Sequence, residues 1–308
     1  MKIAIMGTGG VGGYYGGLLA RAGHEVTFIA RGAHLGAIRE KGLRVKSVFG
    51  DFSIQPAAAT NDPASVGPVD LIIFATKTYH IAEAAGAMLP MVGPDTAVVP
   101  LQNGVDAADR VGKVIGARHV LGGVTYLSAA IEEPGVIGQY SQFRRIVVGE
   151  FSGEISERAN SVCRVLESTG ATVEAVSDIV RVLWTKFVFI SAISAIGGLT
   201  RVTTGEYRKV PQTRKVLIDA FREVVAVASA RGVLLEPDLV EKTLEFIDSA
   251  PADMKPSMQR DIEAGRRCEL ESMIGIVVEL GTELNVPVPV MTLAYAALKP
   301  VELGAASG

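Results

Sequence analysis

The first half of the chain alternates short, uniformly apolar runs with segments whose apolar residues recur at helical spacing. Lys2–Met6, Glu25–Ala30, Val69–Ala75 and Thr96–Leu101 read as strands. Val11–Ala22 and Tyr79–Leu89 read as helices, and His34–Lys41 as a more weakly patterned one. Strands that are apolar throughout belong to a parallel sheet covered by helices on both faces. From about Val120 to Glu150 the pattern changes. Glycines, the turn-like Glu132-Glu133-Pro134-Gly135 and β-type runs predict hairpins that extend the sheet. A helix over Glu154–Ser168 and a last strand over Thr172–Val176 follow.

Beyond about Asp178 the strand pattern gives way to helices over Ile179–Ala195, Thr213–Arg231, Pro237–Asp248, Ser257–Ala264 and Leu270–Leu284. Met273, Val277, Leu280 and Leu284 form an apolar stripe that reads as core. Val182–Leu199 is the one membrane-like stretch, but it carries Trp184, Lys186, two serines and a Gly-Gly pair. A charge at that depth is costly in lipid, so the stretch reads as a buried core helix and no membrane span is expected. The pattern predicts an α/β domain over residues 1–178 and an all-α domain over residues 179–308. No flexible tether separates them.

Composition narrows the function. Among 308 residues, 30 Lys and Arg stand against 33 Asp and Glu, a net charge of −3 that excludes a strongly basic nucleic-acid binder. Apolar residues at 48% and charged residues at 20% exclude disorder. Cys163 and Cys268 allow no disulfide framework or cysteine-based zinc site, and a reducing, cytoplasmic compartment is expected. Lys2 is followed by too short an apolar run for an export signal. His24, His34, His80 and His119 are scattered without ligand spacing, so no metal is expected.

Gly7-Thr8-Gly9-Gly10-Val11-Gly12 fits G-x-G-x-x-G between a predicted strand and a predicted helix. That context makes the motif a dinucleotide fingerprint and the first domain Rossmann-type. The first glycine permits a tight turn, the second admits a pyrophosphate close to the backbone, and the third lets helix and strand pack. NAD enzymes place an acid at the end of the second strand, on the ribose 2′-hydroxyl. Here that strand runs into Ala30-Arg31-Gly32 with no acid. Arg31 can pair with a 2′-phosphate, which favours NADP(H), or it is a solvated arginine. Two further strands end at Thr76-Lys77-Thr78 and Gln102-Asn103-Gly104. Ligands bind beyond the carboxyl ends of such strands, so Gly9, Arg31, Lys77 and Asn103 are expected on one edge.

In the helical half, Lys186 lies within Leu183-Trp184-Thr185-Lys186-Phe187-Val188-Phe189-Ile190. A lysine in such company has a partner or a task, or it snorkels to water. Gly265 is expected to end one helix and Glu269 to begin the next, where a carboxylate also suits the helix dipole. Ser257, behind Pro256, reads equally as a first-turn serine.

Taken together, M-K-I-A-I-M-G-T-G-G-V-G, A-T-K-T, L-Q-N-G-V, L-W-T-K-F, S-M-Q-R-D-I-E-A-G-R-R-C-E-L-E and N-V-P-V-P resemble the ketopantoate reductases (2-dehydropantoate 2-reductases) nearly end to end. The resemblance implies reduction of 2-dehydropantoate to pantoate with NADPH, in pantothenate and coenzyme A synthesis. It makes Lys186 the catalytic lysine and Glu269 an active-site glutamate. Ser257 and Asn103 become substrate or nicotinamide contacts, Lys77 a second site lysine and Arg31 the 2′-phosphate arginine. One departure bears on substrate: Ile190, Ser194 and Thr204 stand where the family carries asparagines that hold the substrate's distal hydroxyl. Two other readings therefore stand beside ketopantoate: a paralogous reductase of a more apolar 2-keto acid, and a non-catalytic NADP(H) sensor. The natural place for a substrate is the cleft between the domains. The oligomeric state is left open, a homodimer included.

Overall fold

The computed structural model describes residues 1–306 and groups the chain into two compact units. Met1–Gln102 and Asp106–Ile179 form the first; Asn103–Val105 and the chain from Val180 onward form the second. Asn103, expected within an unbroken first domain, therefore groups with the helical unit.

The first unit is built on five parallel strands: β1 (Lys2–Met6), β2 (Glu25–Ile29), β5 (Ala58–Thr60), β6 (Val69–Phe74) and β7 (Val92–Pro100). Their order is β5-β2-β1-β6-β7. Met6 pairs with both Ile29 and Phe74, and Phe74 with Pro100, so the central strands end level. The segment after each of these strands is thereby delivered to one edge. Alternate side chains explain the uniformly apolar runs. Ile3, Ile5, Phe28, Leu71, Ile73 and Val99 enter the core on one face, with Tyr15, Leu18 and Leu19 of α1 (Gly10–Arg21). Ala4, Met6, Ile29, Ile72, Phe74 and Val98 enter a second core, with Ile81, Ala84 and Ala85 of α3 (Ile81–Ala87) and Val111 of α4 (Ala107–Ile115). The remaining helix before α3 is α2 (Gly32–Lys41).

The hairpin region departs from expectation. It does not simply extend the main sheet. β3 (Leu43–Ser47) and β4 (Phe52–Ile54) join β9 (Ala129–Glu133) and β10 (Val136–Gln139) in one small sheet. β8 (Gly122–Tyr126), β11 (Arg145–Gly149) and β12 (Thr172–Val176) form another, with α5 (Glu157–Glu167) packed on it. A bridge from Val98 to Val120 links the main sheet to this part of the chain. Alternating apolar runs look the same in either arrangement, because pairing partners lie far along the chain.

The second unit is helical: α6 (Ile179–Thr200), α7 (Thr204–Tyr207), α8 (Pro211–Ala230), α9 (Leu239–Ser249), α10 (Ser257–Glu263), α11 (Ile276–Glu283) and α12 (Pro289–Ala306). Trp184, Phe187, Val188, Phe221, Met273, Ile274, Val277, Met291 and Leu298 share its core. Met273, Val277 and Leu280 of the expected stripe are buried, and Leu284 packs against them. Helix α6 runs past Gly197-Gly198 to Thr200, where the sequence pattern stops at Ala195. The glycines are contacts and do not end the helix. Gln259 lies against Gly197, and Leu298 and Ile262 lie against Gly198. By length and composition α6 alone, among the described residues, could cross a bilayer, yet 56% of its apolar window is buried inside the protein. Helix α12, which the sequence pattern does not predict, starts with Pro289 at its first position and continues through Pro300.

Helix α1 reaches its strand only because residue 12 is glycine. A Cβ there would sit 2.2 Å from the Gly7 carbonyl oxygen and 2.9 Å from Ile5. At Gly9 a Cβ would meet nothing within 4 Å. Gly12→Ala is therefore expected to cost about 1–3 kcal/mol, as overpacking does. Gly9→Ala should stay within about 0.5 kcal/mol, as surface changes do. Thermal denaturation of both variants without ligand checks this, and equal midpoints would contradict the close approach.

Candidate functional site

In the first unit, the loop from β1 to α1 is shaped for close approach by a ligand. Gly7 has φ of 99°, and a Cβ there would strike the Thr76 backbone nitrogen at 2.7 Å. Thr8 fixes the turn: its backbone N–H and its hydroxyl both donate to the Ile29 carbonyl, at 3.1 and 2.9 Å. Gly10 lies beneath β9, where a Cβ would be 2.3 Å from the Ala129 oxygen. Gly9 is open. Helix α1 has no side-chain cap at Gly9, so the N–H groups of its first turn face outward without a side-chain acceptor. Open backbone, free N–H groups and a helix dipole suit a pyrophosphate. Val11 follows inside the first turn, partly buried.

Arg31 and Lys77 share this edge of the sheet, since they follow β2 and β6. Arg31 Nη2 pairs with Glu83 Oε1 of α3 at 2.7 Å. The end of β2 carries no acid, as the sequence reads, but the fold supplies one from another element. Lys77 is half-buried at the start of a short 3-10 turn over Thr78–His80. Arg110 of α4 holds that turn by donating to the Thr78 carbonyl at 2.9 Å, while Asp106 meets Arg110 at 3.4 Å. Burial pushes the Asp106 carboxyl above the usual range. Asp106 and Arg110 are not among the expected site residues. Their spacing of four on a helix is the signal that could have found them.

In the second unit, Lys186 Nζ donates to Asn103 Oδ1 at 2.8 Å. Burial lowers the Lys186 amine from its ordinary value to about 8, and the Glu269 carboxylate opposes that shift. Glu269 is itself buried, 7% exposed, and precedes the helical turn that begins at Leu270. Its neighbours are pinned to α12: Arg267 pairs with Glu302 at 3.6 Å, and Glu271 accepts from Tyr295 at 3.0 Å and from Lys299. The segment Glu271–Gly275 is π-helical, a form frequent at functional sites. Gly265, φ 64°, ends the helix before it.

On α6, Ile190 and Ser194 follow Lys186 at intervals of four and so share its face. Ile190 is half-buried and apolar. Ser194 is 1% exposed, and its hydroxyl has no hydrogen-bond partner. Thr204 is wholly buried and its hydroxyl is engaged with Tyr207 at 3.1 Å. Ser257 opens α10, half-buried. The structure thus brings Asn103, Lys186 and Glu269 together in one unit and Gly7–Gly12, Arg31 and Lys77 together in the other. Among the described residues, no three His, Cys, Asp or Glu side chains gather in a metal-binding group.

Residues 3–153 match the family model described as ketopantoate reductase PanE/ApbA, and residues 178–302 match its C-terminal model. The chain belongs to the ketopantoate reductase family. It is an oxidoreductase, as the family's members are. A 2-dehydropantoate 2-reductase of Halobacterium salinarum is 32% identical over 96% of this chain and 97% of its own. The uncharacterized oxidoreductase YkpB of Bacillus subtilis is 29% identical over 98% and 99%. The crystal structure of a PanE/ApbA family ketopantoate reductase from Ralstonia eutropha is 31% identical, superposes with a TM-score of 0.92, and covers 99% of this chain and 100% of its own.

Burial and the Glu269 carboxylate make opposite demands on the Lys186 proton, and that can be measured. Glu269→Gln removes the charge that favours the ammonium, so the Lys186 pKa should fall further below about 8. Any rate that needs the ammonium declines as pH rises through that pKa, so its decline should begin at lower pH in the variant. A pH profile of kcat/KM for keto-acid reduction checks this. An unmoved profile would mean that the carboxylate does not act on Lys186.

Proposed function

We propose that this ketopantoate reductase family member reduces a 2-keto acid to the 2-hydroxy acid with NADPH. 2-Dehydropantoate, the substrate named for its relatives, is the first choice. The observation that carries the reading is the Lys186 amine, buried, hydrogen-bonded to Asn103 and facing the field of Glu269. An ammonium with a pKa near neutrality is well matched to protonating an alkoxide. NADPH supplies the hydride when bound.

The chain's own residues divide the remaining work. The open backbone at Gly9 and the first turn of α1 receive the pyrophosphate, with Gly7, Thr8, Gly10, Val11 and Gly12 holding that loop in shape. Arg31 addresses the 2′-phosphate. Lys186 gives its proton to the carbonyl oxygen as the alkoxide forms, and Asn103 aims the ammonium. Glu269 keeps Lys186 protonated long enough to donate. Ser257 is a carboxylate contact, and Lys77 serves the cofactor in the first unit. General acid catalysis of this kind typically contributes about 10²–10⁴-fold. Lys186→Ala should therefore lower turnover by about that factor with NADPH affinity nearly unchanged. Nicotinamide absorbance with a panel of 2-keto acids, and fluorescence titration of NADPH, measure the two separately. Near wild-type turnover in a variant that still binds NADPH would remove Lys186 from the reaction. No turnover of any keto acid by the wild-type protein would favour a sensor.

The substrate's distal end meets few donors. Of the three positions where the family carries amides, Ile190 has no polar group and the Thr204 hydroxyl is taken by Tyr207. Ser194 keeps a hydroxyl without a partner. A pocket that hydrogen-bonds a substrate group strongly rejects the analogue lacking it, whereas an apolar pocket separates homologues by only about 10–200-fold. The ratio of kcat/KM for ketopantoate over its deoxy analogue should fall in that lower range, and a bulkier apolar keto acid should be accepted. A preference above about a thousandfold, beyond apolar discrimination, would show that other residues read the hydroxyl.

A further inference from the structure

The sheet order puts β2 and β6 on either side of β1, so their carboxyl ends flank the glycine loop. Arg31 comes just after β2. Glu83 reaches the same place from α3, the helix after β6. Its Oε1 lies 2.7 Å from Arg31 Nη2, and its Oε2 lies 3.3 Å from His80 Nδ1. Both partners of the first contact are more than half exposed, at 59% and 56%, so neither is held there by core packing. Arg31, read as the arginine for a 2′-phosphate, therefore already carries a carboxylate, and its guanidinium holds the Glu83 carboxyl below the usual range.

We propose that Glu83 is a cofactor-selectivity residue that holds down the preference for the 2′-phosphorylated nicotinamide dinucleotide over the unphosphorylated one. The inference rests on the reading of Arg31 as the 2′-phosphate ligand. A phosphate monoester that takes Arg31 must displace Glu83 from the guanidinium and then sit close to a like charge. A ribose diol carries no charge, feels no such repulsion, and leaves the Arg31–Glu83 pair intact. Glu83 thus acts against one cofactor and is indifferent to the other. Lys186, Asn103 and Glu269 belong to the other unit.

Glu83→Gln keeps the shape and removes the charge. Kd values for NADPH and NADH, from fluorescence titration of wild-type protein and variant, read the effect directly. NADPH should bind about three- to fivefold tighter in Glu83→Gln, or roughly 0.6–1 kcal/mol, the upper part of what exposed ion pairs supply. NADH should change less than about twofold, within the scatter of exposed substitutions. The gain should shrink in high salt, because exposed charges are screened. Unchanged or weaker NADPH binding in Glu83→Gln would overturn the inference, as it would show that the carboxylate prepares Arg31 for the phosphate. Equal tightening of both cofactors would also overturn it. Arg31→Ala separates this test from the reading beneath it. If Arg31→Ala weakens NADPH alone while Glu83→Gln has no effect, only the role of Glu83 fails. If Arg31→Ala leaves NADPH binding untouched, the 2′-phosphate reading fails and takes the role of Glu83 with it.

Discussion

A charged amine inside a helical core is the constraint around which the second unit is arranged. An ammonium taken out of water without partners loses its proton or destabilises the fold. Lys186 stands on a helix with Trp184, Phe187 and Val188 buried beside it. It is tolerated because Asn103 accepts its hydrogen bond and Glu269 supplies a counter-charge. Each partner in turn needs support. Asn103 comes with Gly104 and Val105 from a three-residue excursion of the chain, and Val105 packs against the helical core. Glu269 is carried on a segment fixed at Arg267 and Glu271 to one helix, α12. Loss of the Glu269 charge would let burial lower the lysine's pKa further.

The first unit solves a different problem, that of bringing bare backbone to a ligand. Strands that end level put the glycine loop, Arg31 and Lys77 on one edge of the sheet. The glycines there do separate jobs. Gly7 and Gly12 admit the crossing of backbone over backbone, and Gly10 admits β9. Gly9 leaves the space open. Only at Gly9 is the backbone open; at the others it packs closely. Arg110 extends the same logic to Lys77, because the turn that carries the lysine is tied at the Thr78 carbonyl.

Legibility in the sequence tracks the range of the interaction. β1, α1, β2 and β6 are readable because apolar runs, helical spacing and glycine punctuation all sit within a few residues. Lys186 is readable because a lone charge in an apolar run is a local anomaly. The small sheets are not, since β10 pairs with β3 across some ninety positions and nothing local records the partner. The Gly197-Gly198 pair lies beyond the helix read over Ile179–Ala195 and is a site of close packing by Gln259, Ile262 and Leu298. Helix α12 is hidden by two prolines, one at a first-turn position that needs no N–H and one within the helix at Pro300. Glu83 is invisible for the same reason as the sheets. The rule that looks for an acid at the end of the second strand searches along the chain, while the carboxylate arrives through space.

That last difference bears on how the two halves of the chemistry can vary. The Lys186 amine and Glu269 are buried and coupled, so a change at Glu269 moves the lysine's proton. Arg31 and Glu83 are exposed, make few packing contacts and interact across a screened surface. An exposed pair contributes little to stability, about 0–1 kcal/mol, so its loss or reversal leaves the fold intact. The same magnitude is a several-fold change in the affinity of one cofactor relative to another. On the role proposed for Glu83, cofactor preference is set at the surface of the first unit at almost no cost to stability. The Lys186 amine is held by burial, and the fold constrains it much more tightly.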